Sequence, residues 1–429
     1  MKTYDKKTVR GWAFYDWANS VYPLVITTAI FPIFYEAVTS QKTEAGELIS
    51  DVVQLFGYSF INTELYTYVI ATSFLIVSII SPLLSGIADV YGNKKRFLQF
   101  FCYLGAGACA SLYFFDVAYL GVSLVLVMLT SIGFWGSLVF YNAFLPEIAP
   151  PEQHDRISAR GYALGYVGSS ILLILLLLAI KLGNMPAKWA FVITGLWWAG
   201  FAQITYRVLP NRSERKQIPE HIFKGFKELK KVFSQLKSLT GLRRYLFAFF
   251  IYSMGVQTVM LMATLFGKKE IIGMPDSGLI ISVLLIQFVA VGGAYLFSWL
   301  SAKLGNIQAL IVAVVMWVGI CVAAFFIYTP IGFYSLAGIV GLVMGGIQSL
   351  SRSTYSKLIP ADTKDTASFF SFYDVTEKIG IVIGMLSYGL IEAATGSMRN
   401  SVLALISFFA IGCCLLLLVP RKKVLQNRE

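Results

Sequence analysis

The chain has 429 residues, 57% of them hydrophobic and only 14% charged, with a mean hydropathy of +0.70. Soluble domains carry about a quarter charged residues, so this composition excludes a water-soluble fold and points to a polytopic membrane protein. A net charge of +12 raises nucleic acid as a partner, but the distribution of the basic residues along the chain excludes that reading.

A helix needs about 20 apolar residues to cross hydrocarbon. Charge-free runs near that length occur at 17–35, 65–88, 97–115, 117–146, 161–180, 189–206, 245–267, 277–302, 304–351 and 400–420. The run 304–351 breaks at Thr329-Pro330 and is two helices. The segment 366–391 is apolar except for Asp374, Glu377 and Lys378 and adds one more. Twelve spans follow, numbered here in chain order. The runs are continuous rather than alternating, so strands and a β-barrel are not expected. No signal peptide is read at the N-terminus, because the first apolar segment is of full span length and lacks a small-residue cleavage site.

With twelve spans and both termini inside, 28 of the 35 Lys and Arg residues fall in inside loops and tails. Lys42, Lys181, Lys188, Lys268, Lys269 and Arg399 fall outside, and Lys378 lies within a span. This is the positive-inside pattern, and the basic residues also suit contact with anionic lipid.

The longest polar stretch, 210–244, divides the spans six and six. We therefore expect an N-terminal six-helix bundle at 1–209, a basic linker at 210–244 and a C-terminal bundle at 245–429. Within the linker, Ile222, Phe223, Phe226, Leu229, Phe233 and Leu236 recur at helical spacing with lysines between them, which predicts an amphipathic helix on the inner membrane surface. The halves look duplicated. Gly92-Asn93 after span 2 matches Gly305-Asn306 after span 8, and Pro146 after span 4 matches Pro360 after span 10, at offsets that agree to within one residue. Six-plus-six repeats of this kind belong to transporters whose substrate site lies near the midplane between the halves.

Polar residues inside spans are the candidate functional groups. Asp16 opens the first run, and Asn19 and Ser20 fall on roughly its face of the helix, with Tyr15 and Tyr22 overlapping. Trp12 and Trp17 flank it and suit the membrane interface. Asp16 is expected near the inner end of span 1, as substrate contact, proton carrier or gate, or as an N-terminal helix anion. In span 11, Asp374 and Lys378 are four apart with the acid first, the favourable order for a pair within one helix. The other reading pairs Asp374 or Glu377 across the halves with Arg352 or Lys94–Arg96. Asn142, Gln257, Gln287, Gln348 and Arg352 can bind a zwitterion or hold helices together. Arg352 offers a planar fork for a carboxylate and equally suits a gate.

On the inside, "SGIADVYGNKKR" (85–96) sets Asp89 at the end of span 2, Gly92 in a tight turn, and Lys94, Lys95 and Arg96 after it. Glu147, Arg156 and Arg160, with Glu152 and Asp155, are read as a charge network with this loop. Gly161, Gly165, Gly168, Gly341 and Gly345 fit close helix packing. The five cysteines lie in apolar helices without metal-ligand spacing and read as small buried hydrophobes. His154 and His221 fall in predicted inside loops. No phosphate-binding loop, zinc motif or catalytic triad is present, so neither an enzyme, a cofactor nor a metal site is expected.

The segment 85–96 resembles the signature of the major facilitator superfamily, with Ser85, Val90 and Asn93 as departures from its pattern. "FYDWANSVYP" (14–23) resembles the first-helix signature of the autophagy-related vacuolar amino-acid effluxers and their bacterial relatives, a branch of that superfamily. "LPEIAPPEQHDRISARGYALGYVG" (145–168), "GGIQSLSRSTYSKLIP" (345–360) and "FFSFYDVTEKIG" (369–380) are similar to the same branch. The resemblance implies a major facilitator fold of two pseudo-symmetric six-helix bundles. It also implies alternating access and efflux or exchange of small polar solutes, with amino acids known for the fungal members. A proton is the expected coupling ion, the inner membrane of a bacterium the expected location, and a monomer the expected state. Two alternatives stand beside it: a carrier of drugs, sugars or peptides on the same fold, and a membrane sensor that transports nothing.

Overall fold

The computed structural model describes residues 5–42, 48–211, 223–361 and 363–420. Among these, eleven helices are long and apolar enough to cross a membrane. They are Lys6–Thr39 (span 1), Asn62–Tyr91 (2), Lys94–Phe114 (3), Val117–Ile148 (4), Pro151–Lys181 (5), Thr240–Glu270 (7), Ser277–Leu304 (8), Asn306–Phe326 (9), Pro330–Leu358 (10), Thr366–Thr395 (11) and Met398–Leu417 (12). The expected sixth span is present as a helix of crossing length, Lys188–Val208. Its apolarity is diluted by Lys188, Gln203 and three tryptophans, Trp189, Trp197 and Trp198.

The spans run longer than the charge-free runs because helix continues through charged first turns. Span 1 shows this most. Asp5 caps it by accepting from the backbone N–H groups of Lys7 (2.9 Å) and Thr8 (3.2 Å), satisfying donors that a helix start leaves orphaned. Asp16 is therefore ten residues into the helix, about 15 Å along its axis, and not at its end. Beyond it, Tyr22–Ile30 is wound as a wider π-helix. Pro23 is its second residue, and the Pro23 carbonyl accepts from Thr28 Oγ1 at 2.8 Å. Such segments mark places where a helix departs from regular packing, often at functional sites.

Between spans 1 and 2 the chain forms two short antiparallel hairpins, Gln41–Lys42 with Leu48–Ser50 and Val52–Leu55 with Tyr58–Ile61. The expectation of no strands fails here. The second hairpin turns at Phe56-Gly57, both at positive φ, between runs rich in β-branched and aromatic residues, a local signal that span counting passed over.

Spans 8 and 10 are in backbone contact. A Cβ on Gly345 would meet Ala290 O at 2.1 Å, and one on Gly341 would meet Ile286 O at 2.5 Å. Spans 1 and 5 also meet closely, with Gly161, Gly165 and Gly168 making room for the side chains of Asp16, Ser20 and Trp17. With no hydrophobic driving force between helices in lipid, small residues that let backbones close up supply the packing. Span 5 lies against spans 8 and 10, and span 11 against spans 2 and 4. These contacts form the seam between spans 1–6 and spans 7–12. Cys102, Cys109 and Cys321 are buried within the helical packing.

The linker contains the helix Phe223–Ser238. Val232 and Leu236 are buried, and the helix packs on spans 2, 7 and 11. It is thus docked on protein rather than lying only on the membrane surface. Ile222, His221 and the basic C-terminal tail lie outside the described residues.

Candidate functional site

The centre of the seam is an ion pair. Arg352 of span 10 donates from Nη2 to Asp16 Oδ2 (3.0 Å) and from Nη1 to Oδ1 (3.4 Å). Arg352 is only 2% exposed and Asp16 only 4%. A pair this deep costs several kcal/mol per ion in desolvation and is tolerated only with further hydrogen bonds, which spans 4 and 5 provide. Arg352 Nε donates to Ser158 Oγ (2.9 Å), Nη2 to Ser158 O (3.0 Å) and Nη1 to Asn142 Oδ1 (3.5 Å). Tyr141 donates to Asp16 Oδ2 (2.9 Å). The guanidinium also sits 4.2 Å from the Tyr162 ring centre and 5.0 Å from that of Trp12, a favourable place for a desolvated cation.

Trp12 is not an interface residue as expected. It is fully buried, stacks on Tyr141 at 4.5 Å and donates to the Tyr141 carbonyl at 2.9 Å. Tyr15 packs on Tyr141 and Tyr206 of spans 4 and 6, and Trp17 stacks on Trp197 of span 6. Both therefore face within spans 1–6, away from the seam. Asn19 is buried, and its Nδ2 finds no partner among the described residues.

Span 11 carries the second cluster. Lys378 pairs with Asp374 one turn before it and reaches Glu377 Oε2 at 3.3 Å. Gln257 of span 7 donates to Glu377 Oε1 at 2.8 Å, and the Lys378 ammonium lies 3.8 Å from the ring centre of Trp135 in span 4. Of the two readings from sequence, pairing within the helix is the one observed. Neither acid reaches Arg352 or Lys94–Arg96, whose places are taken by Asp16 and by the loop acids described next. Two carboxylates and one ammonium leave the trio one charge negative when all are ionised, and Asp374 Oδ2 is buried without a partner among the described residues. Nearby, Tyr166 donates to Gln348 Oε1 across the seam at 2.7 Å.

The end of the molecule rich in basic residues is closed by two further networks. In the first, Lys94 pairs with Asp89 (3.1 Å) and Glu147 (2.5 Å) and donates to Thr366 Oγ1 and to the Lys364 carbonyl. Asp89 accepts from the backbone N–H groups of Ala367 (3.1 Å) and Ser368 (2.7 Å). An anion at a helix N-terminus meets both free donors and the positive end of the helix dipole, so a span 2 acid binds the start of span 11. Gly92 closes span 2 at φ 65° and brings Lys94 back onto Asp89.

The second network reverses the arrangement. The copy of this loop after span 8 has no acid, and Asp155 at the start of span 5 supplies one. Asp155 accepts from Ser301 Oγ (2.8 Å), Asn306 Nδ2 (2.7 Å) and Lys357 Nζ (2.6 Å). The expected network of Arg156 and Arg160 with the Asp89 loop is not formed. Both arginines are exposed on the far side of span 5's first turns, and Arg96 is exposed likewise. Lys95 donates to the Leu209 carbonyl at 3.2 Å. His154 opens span 5 as a buried residue rather than lying in a loop. Ser158, Ser301 and Thr366, small hydroxyl residues, and Lys357, a lysine in the last turn of span 10, were not singled out by sequence, because their partners lie far along the chain.

Comparison with known proteins fits this geometry. The solved Escherichia coli fucose:proton symporter matches 97% of this chain and 98% of its own at a TM-score of 0.69 and 15% identity. The human organic anion transporter MFSD10 matches 96% and 98% at a TM-score of 0.70 and 11% identity. The fold is that of the major facilitator superfamily, and the family and relatives given next make the protein a transporter and not an enzyme. The family described as vacuole effluxer Atg22 like matches residues 4–429, and the chain belongs to that family. Its relatives include an uncharacterized MFS-type transporter of Bacillus subtilis, YxiO, 32% identical over 98% of this chain and 96% of the relative. Autophagy-related protein 22 of Kluyveromyces lactis is 25% identical over 95% and 92%.

Proposed function

We propose that this protein is a secondary transporter that moves amino acids or similar small zwitterions across a bacterial plasma membrane by alternating access, with both termini on the cytoplasmic side. The observation that carries the reading is the Asp16–Arg352 pair. It joins span 1 to span 10 across the seam, so it must break when the halves part at the basic end. The two freed groups are a carboxylate and a guanidinium fork held by rigid spans. They match the ammonium and carboxylate of an amino acid, so substrate binding can replace the interaction that opening removes.

Asp374, Glu377 and Lys378 suit the coupling role. Two carboxylates share one ammonium there, so a single proton brings the trio's charge to zero, and Gln257 and Trp135 tie it to spans 7 and 4. The vacuole-effluxer description of the family supports export or exchange, and the positive-inside pattern supports the orientation. A monomer is sufficient, because both halves of the seam come from one chain.

The test is counterflow of a panel of labelled amino acids in proteoliposomes, beside Asp16→Asn. Exchange of a subset, lost in the variant, is the expected result. No exchange of any amino acid by folded protein would overturn the substrate class.

A further inference from the structure

The helix Phe223–Ser238 lies across the seam at the basic end. It packs on span 2, which belongs to spans 1–6, and on span 11, which belongs to spans 7–12. Its own Val232 and Leu236 are buried, and its Phe233 packs at a tilt on Phe372 of span 11 with ring centres 6.0 Å apart. Lys231 Nζ pairs with Asp365 Oδ2 at 3.1 Å. Asp365 directly precedes Thr366, whose hydroxyl binds Lys94 and Glu147. One helix thus grips both sides of the closed end, next to the network that closes it.

Spans 2 and 11 part when this end opens, and the helix cannot then keep both contacts. Its apolar face needs another cover. The opposite face shows what that is: Lys230, Lys231 and Lys237 are exposed, and the Lys237 ammonium lies 5.0 Å from the Phe233 ring centre. An apolar stripe with an aromatic residue, edged by lysines, fits a membrane surface carrying anionic headgroups. We propose that this helix is a clamp on the closed state, and that anionic lipid headgroups, by drawing its lysine face to the membrane, release it and favour opening at the basic end. The proposal rests on the alternating opening put forward above.

The experiment reads the helix position directly and needs no substrate. Spin labels are placed on full-length protein at Ser234→Cys, exposed on the helix, paired either with Arg207→Cys on span 6 or with Lys364→Cys before span 11. Distances are measured in neutral phosphatidylcholine vesicles and in vesicles containing phosphatidylglycerol. A short distance should dominate both pairs in neutral lipid. In anionic lipid a longer-distance population should grow severalfold in at least one pair, and should shrink again at high salt, because exposed charges are screened. The growth should be lost in Lys230→Gln/Lys237→Gln, which lowers the charge without touching the Lys231–Asp365 pair. Equal distances in the two lipids, or a shift that survives the double substitution, would overturn the proposal. Neither result bears on whether amino acids are transported, which counterflow decides separately.

Discussion

Asp16 and Arg352 hold each other across the seam at 3.0 Å, with both side chains almost wholly out of contact with solvent. Removing one member of such a pair leaves the other buried and uncompensated, which costs about 3–5 kcal/mol. Asp16→Asn and Arg352→Gln should each lower thermal stability markedly in detergent. The double substitution should cost less than the sum of the two, with a coupling energy of a few kcal/mol. Arg352→Lys should not rescue, because an ammonium cannot reproduce the fork to Asp16 together with the bonds to Ser158. Strict additivity would mean that the two groups act independently.

How this pair escapes a reading of sequence is instructive. Asp16 stands out because an acid at the edge of an apolar run is costly, and Arg352 because it sits at the end of another. Nothing in either local stretch pairs them. The pairing depends on spans 1, 4, 5 and 10 converging, with Ser158 and Tyr141 filling valences that neither sequence segment advertises. The span count was legible because hydrocarbon thickness sets a length. The close helix contacts were legible because only glycine permits them. The hairpins and the Asp155 network were not. Two-residue turns and loop polar groups carry weak local signals, and the loop acid absent after span 8 is supplied from the far side of the seam.

That supplied acid leads to a second prediction. Asp155→Asn leaves Lys357 without its carboxylate while Ser301 and Asn306 lose a charged acceptor. Hydrogen bonds to charged groups are worth about 1.5–3 kcal/mol, so the closed basic end should be weakened by roughly that amount. A cysteine at Ser349, buried at the seam where the Ser349 carbonyl accepts from Ser158, should be alkylated faster in the Asp155→Asn background. Arg156→Gln, which alters an exposed neighbour, should leave the rate unchanged. Equal rates in all three would remove Asp155 from the gate.

The glycine contacts make a prediction about stability rather than gating. Gly345→Ala would push a methyl group to 2.1 Å from the Ala290 carbonyl oxygen, a backbone atom that cannot rotate away. Spans 8 and 10 must then separate, at a cost of about 1–3 kcal/mol for overpacking. Gly338→Ala in the same span meets nothing within 4 Å. It should be neutral or stabilising by up to about 1 kcal/mol through helix propensity. Melting temperatures of the two single variants decide the matter, and similar values would show that the spans tolerate wider spacing.

Coupling can be separated from binding at Glu377. Its carboxylate accepts from Gln257 at 2.8 Å and from Lys378 at 3.3 Å, and Glu377→Gln keeps the shape while removing the charge. Counterflow needs no net proton movement. The variant should therefore retain exchange to within about tenfold, the cost of a hydrogen bond or so. Accumulation driven by a pH gradient should be lost, because the trio is then neutral without taking up a proton: Asp374 and Lys378 compensate each other and no site remains to be filled. Asp374→Asn is the control that separates the two acids. It leaves Glu377 beside Lys378, also a neutral pair, so it should abolish gradient-driven accumulation as well if the trio shares one proton. Were only one of the two substitutions to abolish accumulation, the proton would belong to that residue alone. Were both variants to accumulate substrate as the parent does, coupling would lie outside span 11.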